Sequence, residues 1–182
     1  MKADYIDRED FGQLLAALTP PNRLAMEISA ATGLRISDVL GLRTEALEKA
    51  ARITVREKKT GKPRRLTIPA ELRRQALEMA GAVYIFEGRL ETNKPRTRDA
   101  VLKDVKRVAK VFRLKQNVAP HSARKLFAVE AYRRTGDLKK VQALLQHKFE
   151  GVTMLYAMAD QLTARRQVPR APGAHHEGGA GR

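Results

Sequence analysis

Residues 52 to 56 (R-I-T-V-R) and 64 to 68 (R-R-L-T-I) alternate with the two-residue period of a strand, and the K-K-T-G-K-P between them carries turn residues. The two runs therefore pair as a β-hairpin, with Lys59 where the first strand gives way to the turn. A lone hairpin cannot bury a core, so the flanking segments, most of them patterned at helical spacing, must supply one. The expected fold class is α+β, mostly α: a small antiparallel sheet packed against a helical bundle.

The helices follow from their caps and stripes. Asp7 is placed as the N-cap of a helix over about 8 to 18, with Ile6 and Phe11 in the hydrophobic-staple positions. Pro20 and Pro21 interrupt the chain, and Leu24, Ile28 and Ala31 recur at helical spacing until Gly33, which suits the left-handed position past a helix end. Ser37 is expected to cap a short helix from Asp38 to Leu42, leaving Arg35 in a tight turn. Helix is expected over 71 to 80, an apolar segment under the hairpin at 83 to 86 (V-Y-I-F), and a loop from Glu87 to Arg96. Thr97 should cap a helix running to about Phe112, with Val101, Val105, Val108 and Phe112 on its buried stripe and Arg98, Lys103, Lys106, Arg107 and Lys110 on its other faces. Ser122 should cap the next, which continues through Leu126, Val129 and Tyr132 to the stop at Thr135-Gly136. Asp137 caps another, whose apolar face of Leu138, Val141, Leu144 and Leu145 ends at Gln146-His147. From Thr163 the sequence is rich in Pro, Gly and Arg and almost free of large apolar residues, so residues 1–162 are expected to form the domain and 163–182 a disordered tail.

The formal net charge of +16, from 36 Lys and Arg against 20 Asp and Glu, points to a polyanionic partner, nucleic acid before a membrane surface. No apolar run approaches the roughly 20 residues of a spanning helix. The absence of cysteine excludes disulfides, thiolate metal sites and cysteine nucleophiles, and fits a cytoplasmic protein. There is no G-x-x-x-x-G-K-[ST] run for nucleotide hydrolysis, His175 and His176 are too short a run for a metal site, and the acidic residues form no obvious carboxylate cluster. No cofactor is expected.

The chemistry concentrates between His121 and Tyr156. A phenol with a pKa of about 10 attacks well only where positive groups stabilise the charge that builds on its target. Arginines and histidines suit a phosphodiester, because guanidinium forks hold the non-bridging oxygens of a pentavalent phosphoryl group through paired, charge-assisted bonds. The spacing H-x-x-R sets His121 and Arg124 on one side of a first helical turn, and His147 stands at a helix C-terminus, where the dipole favours its charged form. Taken singly, each histidine is more often structural, Arg35 is an ordinary turn arginine, and Tyr156 in V-T-M-L-Y-A-M-A is a core tyrosine. Lys58, Lys59 and Lys62 compete as phosphate contacts or solvated turn lysines, and the basic faces of the 97-to-112 helix suit a phosphate backbone or plain solvent equally.

The ordered set of motifs decides among these. P-H-S-A-R-K-L-F-A, then G-D-L-K-K-V-Q-A-L-L-Q-H, then T-M-L-Y resembles the active-site segment of the tyrosine recombinases, the phage integrase family. A-T-G-L-R-I-S-D-V-L-G-L (31 to 42) resembles that family's first-arginine motif, and K-K-T-G-K-P-R-R-L-T-I-P (58 to 69) its lysine hairpin. The resemblance spans residues 31 to 156 in the family's order. It implies a tyrosine-recombinase catalytic domain that cuts and rejoins double-stranded DNA through a 3′-phosphotyrosine. Tyr156 would be the nucleophile, Arg35, His121, Arg124 and His147 would stabilise the transition state, and Lys59 would protonate the departing 5′ oxygen. Lys62, Arg65, Arg98, Lys103 and Arg107 are the further candidates for DNA contact. Because the covalent bond stores the energy of the broken one, neither ATP nor a metal ion is implied.

Some positions depart from the family pattern. Gln146 replaces a usual glycine, Lys125 a common histidine and Asp38 a frequent glutamate. Only 34 residues precede Arg35, so the family's N-terminal core-binding domain is expected to be absent, as in an excised catalytic domain or a minimal class such as the fimbrial switch invertases. That predicts weak DNA affinity and a monomer when free, with assembly, a tetramer in this family, only on DNA. The competing readings are a type IB topoisomerase using nearly the same residues, a catalytically silent DNA-binding relative, and a metal-dependent nuclease or transposase.

Overall fold

The computed structural model describes residues 3–89, 91 and 93–145. The elements run α1 (Arg8–Ala17), α2 (Pro20–Thr32), α3 (Ile36–Leu40), α4 (Thr44–Lys49), β1 (Arg52–Arg56), β2 (Pro63–Thr67), α5 (Ala70–Glu78), α6 (Arg98–Val111), α7 (Pro120–Thr135) and α8 (Leu138–Leu145). The fold is α+β and mostly helical, as the patterning implied.

Local chemistry sets most boundaries. The Asp7 carboxylate accepts from the Asp10 N–H at 2.9 Å and starts α1. Pro20 occupies the first position of α2, where its missing N–H costs nothing. Gly33 ends that helix at φ 69°, and a Cβ there would fall 2.5 Å from Cδ1 of Phe127 on α7, so conformation and close packing both require glycine. Gly136 closes α7 through its left-handed conformation alone, at φ 64°, with open space where a Cβ would sit.

Several boundaries differ from the sequence expectation. Helix α3 starts at Ile36 with Arg35 in the N-cap position, because the Arg35 carbonyl accepts from Asp38 and Val39 N–H at 2.8 and 3.0 Å; Ser37 lies inside the helix and caps nothing. Ser122 is likewise the third residue of α7 rather than its cap: its Oγ accepts from the Ala119 N–H at 3.2 Å and donates to the Asp4 carbonyl at 2.7 Å. Phe112 lies past the end of α6 and is 42% exposed, since the chain turns back through Arg113 at φ 51° and packs Leu114 against the core instead. On α8 only Val141 and Leu145 of the predicted face are buried; Leu144 is 40% exposed.

The hairpin pairs Arg52 with Thr67 through Arg56 with Pro63, so its second strand begins one residue earlier than the alternation suggested. V-Y-I-F pairs by backbone with the segment after α3: the Ile85 N–H reaches the Leu42 carbonyl at 3.0 Å and the Thr44 N–H the Val83 carbonyl at 3.2 Å. Ile85 and Phe86 join Ile53, Ile68 and the apolar faces of α1, α2 and α6 in the main core. A second cluster, Ala128, Val129 and Ala131 with Val141 and Leu145, fastens α8 to α7. The expected tail, His147 and Tyr156 lie outside the described residues.

Candidate active site

Arg35 leaves the α2–α3 turn in an extended conformation, φ −67° and ψ 145°, which aims its side chain across the core surface rather than along a helix flank. Its side chain is only 12% exposed, and Nη1 donates to Oε2 of Glu57 at 2.6 Å. Glu57 follows β1 and is fully buried; its other oxygen lies 3.6 Å from Nη1 of Arg64 on β2. Arg64 in turn donates Nη2 to the Thr32 carbonyl at the end of α2, at 2.5 Å.

Arg124 enters from α7 and is 1% exposed. Nη1 donates to the Gly33 carbonyl and Nη2 to the Leu145 carbonyl, the latter at 2.8 Å, so this one side chain ties α7 to the ends of α2 and α8. Burial, and then repulsion from Arg35, bring its pKa down to about 10, which still leaves it charged at neutral pH. Asp38 completes the cluster: Oδ1 accepts the Lys58 N–H at 2.9 Å, and burial raises its pKa against the pull of that bond. Arg35, Arg64 and Arg124 thus face Glu57 and Asp38, a concentration of buried charge whose guanidinium hydrogen bonds are shared with backbone carbonyls.

Above the cluster opens a cavity of about 530 Å³ lined by Arg35, Ser37, Arg98, Lys106, His121 and Arg124 among others. Three elements bring the charge: the α2–α3 turn carries Arg35, the first two turns of α7 carry His121 and Arg124, and one face of α6 carries Arg98 and Lys106. His121 is exposed on the second position of α7, one turn from Arg124, as the H-x-x-R spacing implied. The result is a cavity with buried Arg124 and largely buried Arg35 in its wall and exposed His121, Arg98 and Lys106 around them.

Other candidates lie at the margins. Lys59 is exposed in the hairpin turn and is not part of the cavity lining. Lys62 and Arg65 are exposed on the hairpin and Lys103 on α6. The Arg107 guanidinium is engaged by Asp104 at 2.7 Å and by the Ala17 carbonyl at 2.9 Å.

Sequence reasoning passed over Glu57 and Arg64. The signal was present in the alternation itself, since Glu57 continues the inward phase of Ile53 and Val55, and Arg64 that of Leu66 and Ile68. A charged residue in the buried phase of a strand implies a partner.

The phage integrase family model matches residues 4–162. The chain belongs to the phage integrase family. This integrase-family chain is 30% identical over 138 residues to a probable integrase/recombinase, YoeC, of Bacillus subtilis, covering 74% of this chain and 75% of that protein. It is 36% identical over 145 residues to the tyrosine recombinase XerC of Pseudomonas aeruginosa, covering 74% of this chain but 46% of XerC, so it spans less than half of that relative. In structure it is similar to the XerA recombinase, with a TM-score of 0.66 at 22% identity over 93% of this chain and 67% of XerA. It is equally similar to the lambda integrase catalytic core, with a TM-score of 0.66 at 20% identity over 82% of this chain and 94% of that one. At such identities the structural likeness carries the fold alone: a tyrosine-recombinase catalytic domain.

Proposed function

We propose that this chain is the catalytic part of a site-specific DNA recombinase that cuts and rejoins strands through a 3′-phosphotyrosine. The observation that carries the reading is the convergence of Arg35, His121 and Arg124 on one cavity, extended by Arg98 and Lys106 along α6. Two arginines in the cavity wall match a scissile phosphate with two non-bridging oxygens. The Tyr156 phenol gives up its proton to solvent as Oη forms the bond to phosphorus, the bond from phosphorus to O5′ breaks, and Lys59 gives the proton that makes the departing oxygen a hydroxyl. His121 and His147 donate to the phosphate beside the arginines. Lys62, Arg65, Lys103 and Arg107 follow the flanking backbone.

Support for a duplex partner comes from relatives. The XerH recombinase, with a TM-score of 0.68 at 20% identity, is known bound to its palindromic difH substrate, and a lambda integrase dimer bound to a core site. We extend this to double-stranded DNA as the partner here, with higher-order assembly on DNA, a monomer when free, and a cytoplasmic location. The covalent intermediate conserves the energy of the broken bond, so neither metal ion nor ATP takes part.

The test is covalent capture. The protein is incubated with fragmented genomic DNA in EDTA and denatured with SDS, and DNA attached to protein is recovered beside a Tyr156→Phe control. Adducts from the wild type alone, with a free 5′ hydroxyl at the cut, are expected. A magnesium requirement, or adducts surviving Tyr156→Phe, would overturn the mechanism, whereas DNA retention without adducts from either protein would mark a silent binding module.

A further inference from the structure

The buried Glu57 has no part in the chemistry above, and a fully buried carboxylate is costly unless it is paired and hydrogen-bonded, as this one is with Arg35 and Arg64. Its bonds lead in two directions. Oε2 accepts from Arg35 Nη1 at 2.6 Å and from the Thr60 hydroxyl at 3.3 Å, so one oxygen joins the cavity arginine to the residue after Lys59. Thr60 Oγ1 in turn accepts the Lys62 N–H at 3.3 Å. The Glu57 backbone closes the same turn, its N–H donating to the Lys62 carbonyl at 3.0 Å and its carbonyl accepting from Gly61 N–H at 2.8 Å. On the other side of Lys59, the Lys58 N–H is held by Asp38, the third residue of the helix that Arg35 caps. Lys59 is thus bracketed by hydrogen bonds to two buried carboxylates, both anchored at the Arg35 turn.

We propose that Glu57 is a positioning residue, whose carboxylate registers the Lys59 turn against Arg35. The reach of a lysine to a phosphate held elsewhere depends on where its turn holds its backbone. The Arg35–Glu57–Thr60 chain sets that position, because the residue that grips the phosphate also fixes the turn from which the proton comes. The scale is set by geometry: a catalytic group misplaced by about 1 Å loses roughly a hundredfold in rate.

The inference rests on the recombinase reading for its consequence, though not for its geometry, and the experiment separates the two. In the full chain without DNA, amide exchange is followed in wild type, Glu57→Ala, Glu57→Gln and Thr60→Val. Faster exchange at 58–62 in Glu57→Ala and Thr60→Val, unchanged α6 and α7, and recovery in Glu57→Gln, whose amide oxygen still accepts, are expected. Unchanged protection of the turn, or uniform loss along the chain, would overturn the clamp; Thr60→Val leaves the Arg35 pair intact and decides the matter if Glu57→Ala does not fold. Adduct formation is then compared on the duplex recovered by capture and on the same duplex with sulfur in place of the bridging 5′ oxygen, which leaves as a thiolate without needing a proton. Glu57→Ala should be about a hundredfold slow on the ordinary duplex and regain at least about tenfold of that deficit on the sulfur duplex, with affinity unchanged. An equal deficit on both would place its effect on Arg35 alone and overturn the proposal. Absence of wild-type adducts would count against the recombinase reading, while exchange would still decide the clamp.

Discussion

At the residue scale, the site depends on buried arginines, Arg35 held by the Glu57 carboxylate and Arg124 by backbone carbonyls. Arg124 is the extreme case: two of its nitrogens are committed to Gly33 and Leu145, and it remains charged although burial has lowered its pKa to about 10. A lysine keeps the charge but, as a single point donor, cannot span both carbonyls and a phosphate. Arg124→Lys should therefore lower the rate of adduct formation by about 10²–10³-fold, measured by single-turnover capture, while Arg124→Lys protein still folds. Asp38 is a separate test. Its pKa is raised chiefly by burial, so its ionised form costs stability at all pH values above its folded pKa, and the cost is relieved as pH falls through that value. Asp38→Asn mimics the neutral acid and still accepts the Lys58 N–H. It should raise Tm at pH 7 by about 2–4 °C, for about 1 kcal/mol, with the difference from wild type shrinking as pH is lowered in a series of thermal melts. The catalytic candidates at Arg35, His121 and Arg124 were legible because motif order fixes them. Glu57 and Arg64 were not, because their charge hid the strand phase that places them inside.

At the element scale, the sequence marked where helices begin and end more reliably than which residue performs the capping. Asp7, Thr97, Gly33 and Gly136 act as their types suggest, but Ser37 and Ser122 lie inside helices whose starts are set by a backbone carbonyl and by Pro120. Helix α6 shows a further limit. Its buried stripe was readable from Val101, Val105 and Val108, yet Asp104 among the lysines gave no hint that it holds the helix to the α1–α2 junction. Its Oδ2 accepts from Thr19 N–H at 3.0 Å, Thr19 Oγ1 at 2.8 Å and Asn22 Nδ2 at 2.7 Å. Burial raises its pKa, but the bonds from Asn22, Thr19 and Arg107 outweigh that and leave it at about 2. With the folded value below the unfolded one of about 3.9, the stabilisation is full above pH 4 and is lost as pH falls toward 2. Asp104→Ala should cost about 2–4 kcal/mol at pH 7 by urea unfolding, and the gap from wild type should narrow between about pH 4 and 2. A gap independent of pH would mean that packing rather than ionisation holds this joint.

At the scale of the whole molecule, the excess of 36 basic over 20 acidic residues acts as a field before any contact forms. The fold gives that field a direction, because exposed Arg98, Lys103 and Lys106 on α6 lie on the helix that also lines the cavity, while Lys59, Lys62 and Arg65 stand on the hairpin. The α6 side chains at the cavity and the hairpin side chains that carry the Lys59 turn together offer a duplex six cationic contacts. Each phosphate contact releases a counterion, and log K falls with log salt by about 0.9 per contact. Six contacts from these side chains would give a slope of about −5 for non-specific duplex. Arg98→Ala with Lys103→Ala should flatten it by about 2, weakening every duplex sequence alike, as fluorescence anisotropy across a salt series would read. Charge acting only at long range would instead shift K without changing the slope this much, since two alanines remove only a small part of a net charge of +16. The slope therefore distinguishes α6 as a surface seated on phosphates from α6 as one more solvated face, the two readings that its lysines and arginines left open in the sequence.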